Sequence, residues 1–186
     1  MKLPQIQAER CILAVLEPSQ APLALAFYER NRAHLAPWEP VREPRFYTLD
    51  DTAARLQSSA RAYEAGQAVH FAILAPDGGE MLGTCNFSNI VRGAFQACHL
   101  GYSVAAHREG QGLMREALAA GIAHMFDTVG LHRIMANYIP DNQRSAALLQ
   151  RLGFEREGYA RDYLFIAGRW QDHVLMALTN RDWRAQ

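Results

Sequence analysis

The sequence predicts one α/β (α+β) domain spanning residues 1–186, and three features predict it. Apolar runs of strand character, Val69–Leu74, Met81–Phe87 and Cys98–Val104, follow one another with turn residues such as Pro76-Asp77-Gly78-Gly79 between them. Two helix-forming stretches precede these runs. A glycine-bearing loop, His107–Gly112, then feeds a further helix. A chain of 186 residues that is 49% hydrophobic and 20% charged can bury about 70% of its unfolded surface, so its core needs neither disulfides nor a metal.

In chain order, Cys11–Leu16 is an apolar run suited to a first strand and closed by Glu17-Pro18. Ser19 is placed to cap a helix with Pro22 in its first turn. That helix cannot outlast Pro37, and Pro37-Trp38-Glu39-Pro40 reads as an extended loop. Thr48 opens a second helix with Asp50 and Asp51 in its first turn and Gly66 as its left-handed cap. After the three strand runs, the loop leads into a helix over Leu113–Phe126, and Ile134–Ile139 is the next strand. Asn142 opens a helix through Leu148, Leu149 and Leu152 that Gly153 closes. Phe154–Ile166 and Trp170–Leu178 pair about Ala167-Gly168 as a last hairpin. The expectation is a mixed, mostly antiparallel sheet of about six to seven strands flanked by helices.

Nineteen basic and nineteen acidic side chains give a formal net charge of +0, which argues against a broad nucleic-acid footprint, so direct DNA binding is not expected. Cys11, Cys85 and Cys98 are odd in number and lack a CxxC pair. They read as reduced thiols of a cytoplasmic protein, and no His/Cys cluster has metal-ligand spacing. Met1–Arg10 lacks a signal-peptide core, and no apolar run approaches the roughly 20 residues that span a bilayer, so no membrane partner is expected.

The strongest local signal is the run from Ser103 through Val104, His107, Arg108, Glu109, Gly110, Gln111 and Gly112 to Leu113 and Met114. A glycine turn that opens directly into a helix gathers backbone N–H groups at the positive end of the helix dipole, and so binds a pyrophosphate. Gly110 and Gly112 let the backbone approach where a Cβ would intrude. The spacing is neither that of the P-loop nor that of the dinucleotide fingerprint. An ordinary strand-to-helix loop is the plain alternative.

The sequence resembles the GCN5-related N-acetyltransferase superfamily, whose phosphate loop reads Gln/Arg-x-x-Gly-x-Gly/Ala. His107–Gly112 matches it except that His107 stands at the Gln/Arg position. Asn142-Gln143-Arg144-Ser145, followed after seven residues by Gly153-Phe154, matches the second signature. More narrowly, it is similar to the ribosomal-protein-alanine acetyltransferases of bacteria. The segments that carry this are Leu35–Arg42, Asn86–Gly93, Leu100–Ser103, His132–Tyr138 and Leu152–Ala160, spread over nearly the whole chain.

The resemblance implies a splayed sheet, acetyl-CoA as cosubstrate, and transfer to the amino-terminal alanine of a small-subunit ribosomal protein. It assigns backbone contacts with the pantetheine arm to Ser103 and Val104, and pyrophosphate contacts to the N–H groups of Arg108, Glu109, Gly110, Gln111, Gly112, Leu113 and Met114. It gives Asn142 a hydrogen bond to the pantetheine arm, beside its plain reading as a helix N-cap. Ser145 falls where relatives place a hydroxyl near the departing sulfur; the alternative is an exposed helical serine. Trp38 and Glu39, an aromatic beside a carboxylate on a Pro-bracketed loop, suit a cationic peptide terminus, or Trp38 packs the loop onto a helix. The proton acceptor stays open among Glu39, His99, Asp162 and Asp172, because His99 stands where relatives carry a glutamate. Acetylation of a small amine and a non-catalytic acyl-CoA-binding or ribosome-assembly role both stay open, as does the choice between monomer and homodimer.

Overall fold

A computed structural model of the chain describes residues 3–184; Met1 and Lys2 of the amino-terminal stretch read above, and residues 185–186, lie outside the described residues. Eight strands form one sheet, one more than the upper expectation. They are β1 (Gln5–Gln7), β2 (Ile12–Ala14), β3 (Val69–Leu74), β4 (Met81–Val91), β5 (Ala97–Val104), β6 (Arg133–Tyr138), β7 (Glu155–Ile166) and β8 (Arg169–Thr179). Their spatial order is β1-β2-β3-β4-β5-β6-β8-β7. The added strand is β1. Only Ile6 lends it strand character, and its pairing with Ile12–Ala14 gives it the structure its own residues do not announce.

The helices are α1 (Ala21–Arg30), α2 (Arg32–Leu35), α3 (Leu49–Glu64), α4 (Leu113–Ala123) and α5 (Gln143–Arg151). Thr48 caps α3 by accepting from the Asp51 N–H, and Gly66 follows it at φ +67°. Ser19 does not cap α1. Pro18–Gln20 form a 3-10 turn, and the Gln20 side chain accepts from the Glu17 N–H at 2.9 Å, so the chain is already turning before the helix begins. The loop expected to be extended from Pro37 to Pro40 starts as a 3-10 turn over Ala36–Trp38, whose φ a proline suits; Glu39 is extended, as a residue before proline prefers to be. Helix α4 loosens into a π turn over His124–Thr128, closed by Val129 N–H to His124 O at 3.0 Å.

Cross-strand partners share a sheet face, and this sorts the side chains. Cys85, Phe87, Cys98 and Leu100 face α4 and pack with Leu118, Ile122, Met125 and Leu149 in the main core. The opposite face carries Thr84, Asn86, Ser88, His99, Gly101 and Ser103. All three cysteines are unpaired and buried, and burial pushes the Cys98 thiol up to about 12. Helix α4 lies close to the sheet because Gly121 has no side chain: a Cβ there would come within 3.0 Å of the Phe87 ring and 3.1 Å of Cys85 Sγ. Gly121→Val is expected to destabilise the fold by about 1–3 kcal/mol in urea unfolding, and an unchanged midpoint would show that α4 can lift off at no cost.

Candidate active site

The sheet opens between β5 and β6. These two strands pair in parallel only at Ala97–Arg133, Cys98–Ile134 and His99–Met135, whereas β5 continues against β4 as far as Val104. The Ala105 N–H donates to Leu82 O at 2.8 Å, which makes Gly83–Val104 a non-hydrogen-bonded pair and Thr84–Ser103 a hydrogen-bonded one. The backbone groups of Ser103 therefore belong to β4, and its hydroxyl bonds Thr84 Oγ1 at 2.8 Å. Those of Tyr102 and Val104 point into the gap. The expectation placed Ser103 beside Val104 at the gap, whereas the backbone groups turned toward it are those of Tyr102 and Val104. The Val104 carbonyl also lies 3.2 Å from His34 Nε2, which ties α2 to the rim of the gap.

Beyond Val104 the loop makes a 3-10 turn over Ala106–Arg108, and the N–H groups of Arg108 and Glu109 donate back to Ala105 O and Ala106 O. Those two N–H groups are thus engaged within the turn. Among the described residues no backbone carbonyl accepts from the N–H groups of Gly110, Gln111, Gly112, Leu113 or Met114, which form a cradle of free donors at the start of α4. Gly110 and Gly112 stand at φ +72° and +76°, where a side chain is strained. Arg108 contributes a buried Nε with no partner among the described residues, a cationic donor left over for an anion. The side chains of Leu113 and Met114 go into the core, so only their amides face the cradle.

Two residues that sequence reasoning missed hold this loop. Asn31, buried, accepts from the Ala106 N–H at 2.9 Å and donates to Phe27 O at 2.8 Å. Arg10 donates to Gln111 O at 2.9 Å while its Nε bonds Glu116 at 2.7 Å. Glu109 turns toward Arg144 of α5 and lies 3.7 Å from His34 Nε2.

On the far side of the gap, Asn142 caps α5 by accepting from the Ser145 N–H at 3.1 Å. Its plain reading as a cap is what the geometry displays, and its amide nitrogen has no hydrogen bond among the described residues. Ser145 is half-buried, with Oγ 2.7 Å from the hydroxyl of Tyr102. Burial pushes the Tyr102 phenol up to about 12, with the Tyr102–Ser145 hydrogen bond working the other way.

The remaining candidates separate clearly. Trp38 is 42% exposed. Glu39 accepts from Arg42 at 3.2 and 3.3 Å, so its charge is already answered, while its carbonyl accepts from Ala167 N–H at 3.0 Å and ties the loop to the β7–β8 turn. Asp172 accepts from Tyr159 OH at 2.6 Å and from Asp162 N–H at 2.9 Å. These bonds, Tyr159 first, hold its carboxyl below the ordinary range and pin the bulge where Asp162 stands at φ +45°. His99 sits at the last paired position before the gap opens, half-buried on the face opposite the main core, beside exposed Gly101. Its Nδ1 is buried without a partner among the described residues, and burial lowers its pKa.

A sheet opened beside a cradle of free amides at a helix start suits a ligand that carries both an extended arm and an anionic group. A family model described as "Acetyltransferase (GNAT) domain" matches residues 10–155, and the chain belongs to this family. It is 47% identical over 179 residues to the ribosomal protein uS5-alanine N-acetyltransferase of Escherichia coli (strain K12), covering 96% of this chain and 92% of that one. The structure of ribosomal-protein-S5-alanine acetyltransferase from Vibrio fischeri superposes with a TM-score of 0.93 at 38% identity, covering 98% of this chain and all of that one. That of Mycobacterium smegmatis RimJ, in complex with CoA-disulfide, does so with a TM-score of 0.88 at 28% identity, over 99% of this chain and 90% of that one. The family uses acetyl-CoA. The residues here fit it, in that five free amides and the unpartnered Arg108 Nε suit a diphosphate, and the unpaired edge of β5 suits an extended amide-bearing arm.

Proposed function

We propose that the chain, as one N-acetyltransferase domain acting in the cytoplasm, transfers the acetyl group of acetyl-CoA to the α-amino group of the amino-terminal alanine of ribosomal protein uS5. The observation that carries this reading is the gap between β5 and β6 in a chain 47% identical, over almost its whole length, to an enzyme named for that reaction. Acetyl-CoA supplies the thioester; the protein supplies placement. The N–H groups of Gly110 to Met114 and Arg108 Nε hold the diphosphate, and Tyr102, Val104 and the Asn142 amide align the arm. The Val104 N–H polarises the acyl carbonyl. The Ser145 hydroxyl faces the departing sulfur, whose ordinary thiol pKa of about 8.5 needs only a weak donor.

A free α-amino group has a pKa of about 7.7–8.0, so a sizeable fraction is already neutral at pH 7 and a proton acceptor suffices. His99 fills that role best among the four candidates, since Glu39 and Asp172 are held by partners and Asp162 lies in the pinned bulge. His34 ties α2 to Val104 and Glu39 ties the following loop to Ala167, so Trp38 lies on a segment that bridges the two lips of the gap and borders the acceptor.

A uS5 amino-terminal peptide beginning with alanine is expected to be acetylated on its α-amine by this protein and acetyl-CoA, with no lysine modified, as read by tandem mass spectrometry. Trp38→Ala is expected to raise the peptide KM while leaving acetyl-CoA binding unchanged. Acetyl found only on lysine, or only on small amines, would overturn the acceptor while leaving the family and the cosubstrate in place.

A further inference from the structure

We infer that Tyr102 is a positioning residue for acyl transfer: its hydroxyl donates to Ser145 Oγ across 2.7 Å and thereby aims the Ser145 proton into the gap. This rests on the role proposed above for Ser145. A serine hydroxyl has one proton and two lone pairs, so its proton is available to a sulfur only if the neighbouring hydroxyl does not receive it. Tyr102 decides that. Either hydroxyl is able to donate across this contact, and the one that accepts keeps a proton with no other acceptor among the described residues. A phenol is a stronger donor than an aliphatic hydroxyl. With Tyr102 donating, the Ser145 oxygen accepts and the Ser145 proton is left free to turn into the gap.

The backbone on either side keeps the pair in place. Tyr102 projects from β5 on the face that packs against the main core. Ser145 lies in the first turn of α5, where its N–H is held by the Asn142 cap. The two residues therefore face each other from opposite lips of the gap. No proton leaves Tyr102 during the reaction. The amine forms the new C–N bond and the C–S electron pair goes to sulfur, which Ser145 hydrogen-bonds. The amine's surplus proton goes to the proton acceptor. A phenol raised to about 12 stays protonated throughout, well above the ordinary thiol value of about 8.5.

A double-mutant cycle over Tyr102→Phe and Ser145→Ala tests this, with kcat for the uS5 peptide and the dissociation constant for acetyl-CoA as readouts. Phenylalanine keeps the ring and its packing, and equal melting temperatures of the free proteins check that the fold persists. Expected are a fall in kcat of about 10-fold for Tyr102→Phe, about 100-fold for Ser145→Ala, and no further loss in the double variant, with acetyl-CoA affinity kept in all three. Equal 10-fold losses from Tyr102→Phe in the parent and in the Ser145→Ala background would overturn the inference, because the phenol would then act independently of the serine. So would a Tyr102→Phe variant with unchanged kcat beside an impaired Ser145→Ala. An unchanged kcat in Ser145→Ala would instead remove the serine's role, and this inference with it.

Discussion

Gly110→Val is expected to abolish most of the thermal stabilisation that acetyl-CoA gives the parent protein. A ligand at about 100 times its dissociation constant stabilises a fold by about 2.7 kcal/mol, which is a plain upward shift in melting temperature. Gly110 holds φ +72°, a conformation that costs a β-branched residue about 1–3 kcal/mol, so valine would pull the loop out of shape. An added Cβ meets nothing within 4 Å, so the free protein has no packing reason to unfold, and its loop rather than its core absorbs the change. The amides of Gln111 to Met114 would then no longer converge on one point. Equal shifts in the parent and the variant would place the diphosphate elsewhere.

The second large effect is chemical. Ser145→Ala is expected to lower kcat about 100-fold and to leave the dissociation constant for acetyl-CoA nearly unchanged. Alanine keeps the α5 cap, because Asn142 is held by the backbone N–H of residue 145 and not by the hydroxyl. It removes only the hydroxyl that meets Tyr102. The measurement is single-turnover acetyl transfer, which isolates the chemical step. A variant as fast as the parent there would make Ser145 a packing partner of Tyr102 and nothing more.

The sequence displayed the elements whose signals are local. Strand β3 falls on the run read for it, and Thr48, Gly66, Gly112 and Gly153 stand at helix ends because capping hydroxyls and positive φ are properties of single residues. Features made by distant partners were silent. Strand β1 takes its form from β2, and Asn31 reaches Ala106 across 75 positions. The gap itself has no local signature. It was expected through resemblance, and it exists because β5 and β6 part after His99 and Met135. Ser103 and Tyr102 could not be told apart as gap-facing residues without the register of β5 on β4. The same register places His99 beside exposed Gly101 at the mouth of the gap, where its neighbours in sequence give no hint of an unpartnered nitrogen.

Acetylation of the amino-terminal alanine of uS5 by this chain is read most directly from the intact mass of uS5 in ribosomes of the native host with and without the gene for this chain. The predicted result is uS5 lighter by one acetyl group when the gene is absent, restored by the parent gene and not by the Gly110→Val form. A uS5 mass unchanged by loss of the gene would contradict the claim.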